Sequence, residues 1–212
     1  MSAGATPSWS IGGGPGSLSY RLFDLARNAL NTRLARRLYR ASGAAPDGPL
    51  ATLEAGSGPG YCSSRLRALG PRVRATALDL DADALALVAA RDRALGIVRG
   101  DLYALPFRTG AFDLVFNSST MEHLDAFSRA LREMVRVARP GGRVFVGVPY
   151  RYGPFFPFAL LPREHPVAVW IGELFGGRRL REVCRMEGVA VEDTHRYFFG
   201  CFIGVTLVKE RP

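Results

Sequence analysis

The amino-acid sequence predicts an α/β fold in which a mainly parallel β-sheet lies between two layers of helices. Short apolar segments alternate along the chain with helical patterns, and strands separated by helices are typical of parallel pairing. The glycine-rich segment Leu53-Glu54-Ala55-Gly56-Ser57-Gly58-Pro59-Gly60 lies where the first such strand turns into a helix. Because ligands of these sheets bind beyond the carboxyl ends of the strands, this turn marks the expected binding site.

The predicted elements begin with an amphipathic helix from about Leu18 to Arg40, in which leucines recur at helical spacing beside an arginine-rich face. After a turn at residues 43–48, apolar segments bounded by glycine, proline and aspartate alternate with helical patterns. They predict strand 50–55, helix 61–69, strand 73–79, helix 82–94, strands 96–99 and 112–118, helix 125–138 and strand 143–149. The alternation stops near residue 150. A helix at 178–187 then precedes two strands, 189–195 and 201–209, that are expected to pair antiparallel.

A single globular domain accounts for the chain, because 212 residues with 48% hydrophobic content bury a sizeable core. We assign residues 17–212 to this domain, with an N-terminal helical segment at 17–42. Residues 1–16 are rich in serine, glycine and proline and predict a flexible tail. The irregular, aromatic-rich insertion at 150–177 is interpreted as a substrate lid over a hydrophobic or aromatic acceptor. The alternative is a packed loop that covers the edge of the sheet.

The formal charge of +9 comes almost entirely from arginine, since Lys209 is the only lysine. A solvated helix face explains this excess, and peripheral membrane contact is a less favoured alternative. No run of about 18 apolar residues occurs, and the three cysteines form no Cys-x-x-Cys pair. We therefore expect a cytoplasmic protein with reduced thiols, and the sequence leaves its oligomeric state open.

The glycine turn and two aspartates form a candidate cofactor site. Glycine lets the backbone turn sharply and lets a ligand approach where any Cβ would collide. Asp79 closes the second predicted strand, 19 residues after Gly60, where a carboxylate is suited to accept from both hydroxyls of a ribose. Asp101 and Leu102 follow the third strand. An acid that accepts from an exocyclic amine, next to an apolar side chain, is suited to recognise adenine.

Together with Phe112-Asp113-Leu114-Val115 and the turn Arg139-Pro140-Gly141-Gly142, these residues resemble a class I S-adenosylmethionine-dependent methyltransferase of the small-molecule, methyltransferase domain 11-like type. The resemblance covers about residues 50–149 and the closing strands. It implies a Rossmann-like three-layer sandwich, with a seven-stranded sheet that is parallel except for its last strand, and S-adenosyl-L-methionine as cofactor. It assigns to the cofactor site Glu54, Gly56, Gly58, Gly60, Asp79, Leu80, Asp101, Leu102 and Asn117.

Two alternatives to an active methyltransferase are open. Proteins that bind a nicotinamide dinucleotide also have a glycine turn followed by an acidic residue about 20 positions later. The spacing Gly-x-Gly-x-Gly and the acid at Glu54 both disfavour a diphosphate, so an NAD(P)-dependent oxidoreductase is the weaker interpretation. The second alternative is a catalytically inactive scaffold or sensor that binds the cofactor and methylates nothing.

His123 is the best-placed candidate for a general base, because it follows the fourth predicted strand. Some relatives hold a divalent metal here through Glu-x-x-Glu-His. Ser119 replaces the first of these glutamates, so we expect no metal. The segment Asn117-Ser118-Ser119-Thr120 also lacks the Asn/Asp-Pro-Pro-aromatic pattern with which base methyltransferases hold a flipped base. We therefore expect a small-molecule acceptor and no nucleic acid.

Overall fold

The computed structural model describes residues 18–45, 47–162 and 164–211, so the tail predicted at 1–16 lies outside the described residues. Seven strands of the described chain form one sheet, in the order β3-β2-β1-β4-β5-β7-β6. Their bounds are β1 (Leu50–Ala55), β2 (Val73–Asp79), β3 (Gly96–Arg99), β4 (Phe112–Ser118), β5 (Ala138–Pro149), β6 (Val189–Tyr197) and β7 (Phe202–Lys209). The helices are α1 (Leu18–Ala41), α2 (Tyr61–Arg67), α3 (Ala82–Arg91), α4 (Phe127–Val137), α5 (Pro166–Ile171) and α6 (Gly177–Val183).

The pairing confirms the predicted fold class. Strands β1 to β5 pair in parallel, and β7 runs antiparallel to both of its neighbours, β5 and β6. It follows that β6 points in the same direction as β1. Six strands are therefore parallel to one another, and β7, the last strand of the chain, is reversed. The carboxyl ends of β1, β2, β4 and β6 therefore lie at one edge of the sheet, beside the glycine turn.

The two faces of the sheet are covered by different helices, because successive side chains of a strand point to opposite faces. On one face, Val115 and Val146 pack in a core with side chains of α4 and α6. On the other, Leu114 and Phe145 pack in a core with α1 and α2. The apolar stripe predicted for α1 is buried there at Leu34 and Leu38, which fixes this helix on the sheet.

The structure differs from the predicted elements at helix ends and in the insertion. Helix α3 ends at Arg91, because the backbone of Asp92 is extended and its carboxylate accepts from Arg67 Nε at 2.7 Å. The insertion predicted to be irregular contains a 3-10 turn at Phe156–Leu160 and the short helix α5. Strand β5 begins earlier than predicted, at Ala138, with a register shift across the Pro-Gly-Gly turn. No helix of the described residues is both long and apolar enough to cross a membrane.

Candidate active site

The glycine turn after β1 has a left-handed backbone at all three of its glycines. The φ angles of Gly56, Gly58 and Gly60 are +77°, +49° and +68°, a region that other residues rarely adopt. The N–H groups of Gly56 and Ser57 both donate to the Leu78 carbonyl, at 2.8 and 2.9 Å. The turn is therefore held against the end of β2, and of its residues 56–60 only Gly58 is more than slightly exposed.

The three glycines differ in the space around the Cβ that a larger residue would add. At Gly56 this atom would lie 2.8 Å from the side chain of Thr120, and at Gly60 it would lie 2.9 Å from Val88. At Gly58 it would meet no atom within 4 Å of the described chain, although Gly58 lines a cavity. Two glycines thus permit close packing of the protein, and the third leaves open a surface that a ligand can approach.

Glu54 lies almost fully buried beneath this turn, at the end of β1. Its Oε2 atom accepts hydrogen bonds from the backbone N–H and the hydroxyl of Ser63, at 2.9 and 2.6 Å, and so ties the first turn of α2 to β1. Burial raises the pKa of Glu54 to about 7, the bonds from Ser63 oppose this shift, and the charge of Asp79 adds to it. The carboxyl group therefore titrates near neutral pH.

Asp79 connects the glycine turn to the start of α3. Its Oδ2 atom accepts from the N–H of Gly58 at 2.7 Å, and its Oδ1 atom accepts from the N–H of Asp81 at 3.0 Å. Asp81 in turn is the N-cap of α3, where its side chain accepts from Asp83 N–H. The structure thus gives the capping role to Asp81 and leaves Asp79 on the cavity wall.

A cavity of about 550 Å³ opens at this edge of the sheet. It brings together five of the residues assigned from the sequence, Glu54, Gly56, Gly58, Asp79 and His123. The other assigned residues, Gly60, Leu80, Asp101, Leu102 and Asn117, are not among those that line it. Their assignments to a ligand stay predictions.

These other residues have defined roles in the protein itself. Asn117 is fully buried, and its amide donates to the Ala55 carbonyl and accepts from Met121 N–H at 3.2 Å, so it joins the ends of β1 and β4. Asp101 is exposed and accepts from Tyr103 N–H at 2.8 Å. Leu80 is half exposed beside Asp79, and Leu102 is buried in the core.

Residues that follow β4 also line the cavity, and among them Thr120 contacts the glycine turn directly. Ser119 has a left-handed backbone, with φ +69°, and its hydroxyl donates to Glu122 Oε1 at 2.8 Å. His123 Nε2 lies 3.9 Å from the same oxygen of Glu122. Burial lowers the pKa of His123, so the ring is neutral at pH 7 and able to accept a proton. Among the described residues, no group of three acidic, histidine or cysteine side chains is placed to hold a metal.

Phenylalanines complete the cavity, and sequence analysis missed most of them. The insertion contributes Phe155, the turn that joins β6 to β7 contributes Phe198 and Phe199, and Phe202 is the first residue of β7. The φ angles of Phe198 and Phe199 are +51° and +57°, a strained conformation for aromatic residues that is typical of functional sites. Since β6 is parallel to β1, the residues after its carboxyl end lie at the ligand edge, and this rule would have found them.

Helix α1 also lines the cavity, through Arg27, Leu30 and Asn31. The sequence predicted this helix and its arginine-rich face, but gave no reason to place it over the glycine turn. Arg27 Cζ lies 5.4 Å from the ring centroid of Tyr61, the first residue of α2, which fixes the helix beside the site.

Glu122 is expected to make the protein less stable as the pH rises. Its carboxyl group is buried, Oε2 has no hydrogen-bond partner among the described residues, and burial raises its pKa to about 8. Between pH 4.5 and 8 the folded state binds a proton that the unfolded state releases, so the free energy of unfolding falls through this range and is level above it.

Glu122→Gln cannot ionise, so its free energy of unfolding should not fall in this way between pH 5 and pH 9. We therefore expect the stability of Glu122→Gln relative to the parent protein to rise by about 1–4 kcal/mol between these two pH values. Urea unfolding at both pH values measures this. Glu182→Gln, at an exposed position of α6, is the control and should leave the pH dependence unchanged. A pH profile of Glu122→Gln parallel to that of the parent would contradict the assignment of the buried proton.

Comparison with known proteins supports the family assigned to this arrangement. Residues 53–146 match the model of the methyltransferase domain family. A malonyl-[acyl-carrier protein] O-methyltransferase of Erwinia billingiae is 42% identical over 92 residues, which are 43% of this chain and 36% of that protein. The probable S-adenosylmethionine-dependent methyltransferase of Mycolicibacterium smegmatis is 34% identical over 148 residues, which are 70% of this chain and 55% of that protein. The chain thus spans about a third to a half of the length of these relatives.

Solved structures show the same fold. The 1,6-didemethyltoxoflavin-N1-methyltransferase of Burkholderia thailandensis, solved with 1,6-didemethyltoxoflavin and S-adenosylhomocysteine, superposes with a TM-score of 0.67 and 22% identity. The superposition covers 91% of this chain and 84% of that one. The matched segment, residues 53–146, contains the glycine turn, Asp79 and His123. Residues 53–146 thus match the methyltransferase domain family, and the chain is similar in sequence and fold to class I S-adenosylmethionine-dependent methyltransferases.

Proposed function

We propose that this protein transfers a methyl group from S-adenosylmethionine to a small hydrophobic or aromatic acceptor. The observation that carries the proposal is one cavity with two unlike walls. The glycine turn and the carboxylates of Glu54 and Asp79 form one wall, while His123 and the phenylalanines form the other. A cofactor held on the first wall would present its reactive group to an acceptor held on the second.

The residues of the first wall suit this cofactor. Gly58 leaves open space where a side chain would stand, and its neighbour Asp79 offers a carboxylate to ribose hydroxyls. Glu54, Asp79 and Asp81 place three acids around the cavity, an arrangement that favours a cationic sulfonium over a diphosphate. When bound, S-adenosylmethionine supplies a methyl group that is electrophilic because its sulfur carries a positive charge.

The second wall supports the choice of acceptor. Phe155 and Phe198 each pack edge to face on Phe202, with ring centroids 5.6 and 5.5 Å apart, and the three rings form a preorganised apolar surface. An acceptor fixed on this surface would be aligned for in-line displacement, and alignment of this kind contributes on the order of 7–11 kcal/mol to catalysis. Neutral His123 would take the proton of a hydroxyl or amine acceptor as the new bond to carbon forms.

Thermal unfolding with S-adenosylhomocysteine, S-adenosylmethionine and NADP⁺ in separate samples tests the cofactor. A ligand at 100 times its Kd adds about 2.7 kcal/mol to stability, and we expect a rise in Tm of several degrees with the two sulfur ligands alone. Release of S-adenosylhomocysteine in the presence of phenolic, amine and carboxylate acceptors then tests transfer. A rise in Tm with NADP⁺, or no rise with any of the three ligands, would contradict the proposal. Binding without turnover of any acceptor would instead favour the scaffold interpretation.

His123→Asn is expected to lower kcat by about 10²-fold or more for an acceptor that must lose a proton, because the general base is lost. The Kd of S-adenosylhomocysteine should stay within about twofold of the parent value, since no cofactor contact is removed. Turnover with a thiolate acceptor, which is already deprotonated, is the internal control and should fall far less. An equal loss of kcat with both kinds of acceptor would show that His123 acts in positioning and not as the base.

A further inference from the structure

Residues 152–162 form the longest uncharged apolar segment of the insertion, and the methyltransferase assignment gives no role to their outer side chains. The segment reads Tyr-Gly-Pro-Phe-Phe-Pro-Phe-Ala-Leu-Leu-Pro, and it is bounded in sequence by Arg151 and Arg163. Eleven residues without a charge are unusual at a protein surface, where apolar side chains normally alternate with polar ones.

Much of this segment faces solvent. Tyr152 and Leu160 are 70% and 78% exposed, and Phe156, Phe158 and Val169 of α5 are also among the exposed large apolar side chains. We call these five residues the apolar patch. They make up half of the ten such side chains found in the described residues, and the other five come from separate parts of the chain. A concentration of this kind marks an interaction surface.

The inner side of the same segment packs on the sheet and on the active-site cavity. The Phe155 ring lies 5.6 Å from that of Phe202, and Phe155 lines the cavity. The 3-10 turn at Phe156–Leu160 packs on α5. The patch is therefore the outer surface of a folded segment whose opposite side, at Phe155, is partly buried.

A second cavity of about 670 Å³ opens at the patch. Phe158, Val169 and Arg151 line it, together with Gly172. A Cβ added at Gly172 would lie 2.8 Å from the ring of His123, so the backbone of this cavity wall contacts the candidate base. Gly172 thus lies between the second cavity and His123.

The part of the chain that carries the patch has an excess of positive charge, although Arg178 and Arg179 form ion pairs with Glu182 and Glu173. Residues 150–185 contain six arginines and three glutamates. Arg151 is exposed at the rim of the second cavity, and none of the ion pairs among the described residues involves it. Exposed aromatic and aliphatic side chains beside unpaired arginine are the features with which peripheral proteins bind anionic lipid surfaces.

We propose that the apolar patch docks this protein on the surface of an anionic lipid bilayer, with the patch inserted at the level of the headgroups and Arg151 at the lipid phosphates. A lipid surface fits better than a protein partner, because the patch offers one hydroxyl, that of Tyr152, as its sole side-chain hydrogen-bonding group. The proposal does not depend on methyl transfer, and its test requires no acceptor.

Co-sedimentation of the full chain with vesicles tests the proposal. One set of vesicles is phosphatidylcholine alone, and in the other one lipid in three is phosphatidylglycerol. We expect partitioning onto the anionic vesicles that weakens with added salt, and little onto the neutral ones. The double variant Phe156→Ser/Leu160→Ser should lower the partition coefficient about tenfold or more. Arg151→Glu should lower it on anionic vesicles only.

The matched control is Ile97→Ser/Val191→Ser, which removes two exposed apolar side chains from edge strands β3 and β6. It should bind vesicles as the parent does. The thermal shift with S-adenosylhomocysteine shows that each variant is folded. The proposal is overturned if the parent does not bind anionic vesicles, or if patch and control variants lose binding equally. It is also overturned if sedimentation velocity shows that the patch variants abolish self-association instead, because the surface would then join two copies of the chain.

Discussion

Replacing Gly56 by alanine is expected to lower the free energy of unfolding by about 3–5 kcal/mol. Two costs add. The backbone of Gly56 is left-handed, with φ +77°, and the new Cβ would lie 2.8 Å from both Cγ2 and Oγ1 of Thr120. Thr120 has little freedom to withdraw, because its hydroxyl donates to the Gly56 carbonyl at 3.1 Å. Urea unfolding measures the loss.

Gly188 separates the two costs, because its φ is also +77° and a Cβ there would meet no atom within 4 Å. Gly188→Ala should therefore cost only the backbone part, about 1–2 kcal/mol. The double variant Gly56→Ala/Thr120→Ala should recover part of the remaining loss, since the two clashing atoms of Thr120 are removed. Equal losses at Gly56 and Gly188 would mean that the turn tolerates the extra atom, and that its glycines are not needed for close packing.

Asp79→Ala is expected to weaken binding of S-adenosylhomocysteine by about 1–3 kcal/mol, or roughly 5- to 150-fold. The substitution removes the acceptor for ribose hydroxyls and also releases Gly58 N–H and Asp81 N–H, which its carboxylate now holds. Calorimetric titration gives the affinity. Asp83→Ala, an exposed acid in the first turn of α3, is the control and should bind as the parent does.

A ligand analogue distinguishes direct contact with the ribose from support of the turn. If Asp79 holds the ribose, the 2′-deoxy form of S-adenosylhomocysteine should bind the parent more weakly than the normal ligand does. In Asp79→Ala the two ligands should bind alike. An equal preference for the normal ligand in both proteins would assign Asp79 to the turn alone, and unchanged affinity would show that the cofactor lies elsewhere.

The strands could be predicted from the sequence because their signals are local. Apolar runs at 50–55, 73–79, 96–99 and 112–118 match the observed strands residue for residue. The insertion was harder to predict. Four prolines interrupt its apolar pattern, and both its 3-10 turn and the six residues of α5 are too short for helical periodicity to register. Their conformation depends on packing against the sheet.

The candidate site also contains one part that could be predicted from local sequence and one part that could not. The glycine turn and Asp79 are recognisable because residues close in sequence or at a fixed distance build that wall. The opposite wall is assembled by tertiary structure. Phe198 and Phe199 reach it only because β6 runs parallel to β1, and the pKa of Glu122 is raised only because folding buries a carboxyl group that local sequence would leave in water.

The insertion of β7 between β5 and β6 has a consequence for how such an enzyme can change its substrate. The turn at residues 198–201 is the tip of a hairpin formed by β6 and β7, and neither of these strands pairs with β1, which leads into the glycine turn. Substitutions or added residues at this tip would alter the wall that we propose holds the acceptor, while the hydrogen bonds that shape the glycine turn stay intact. Selection for a new acceptor, in nature or in a mutant library, therefore has a short and separable stretch of chain on which to act.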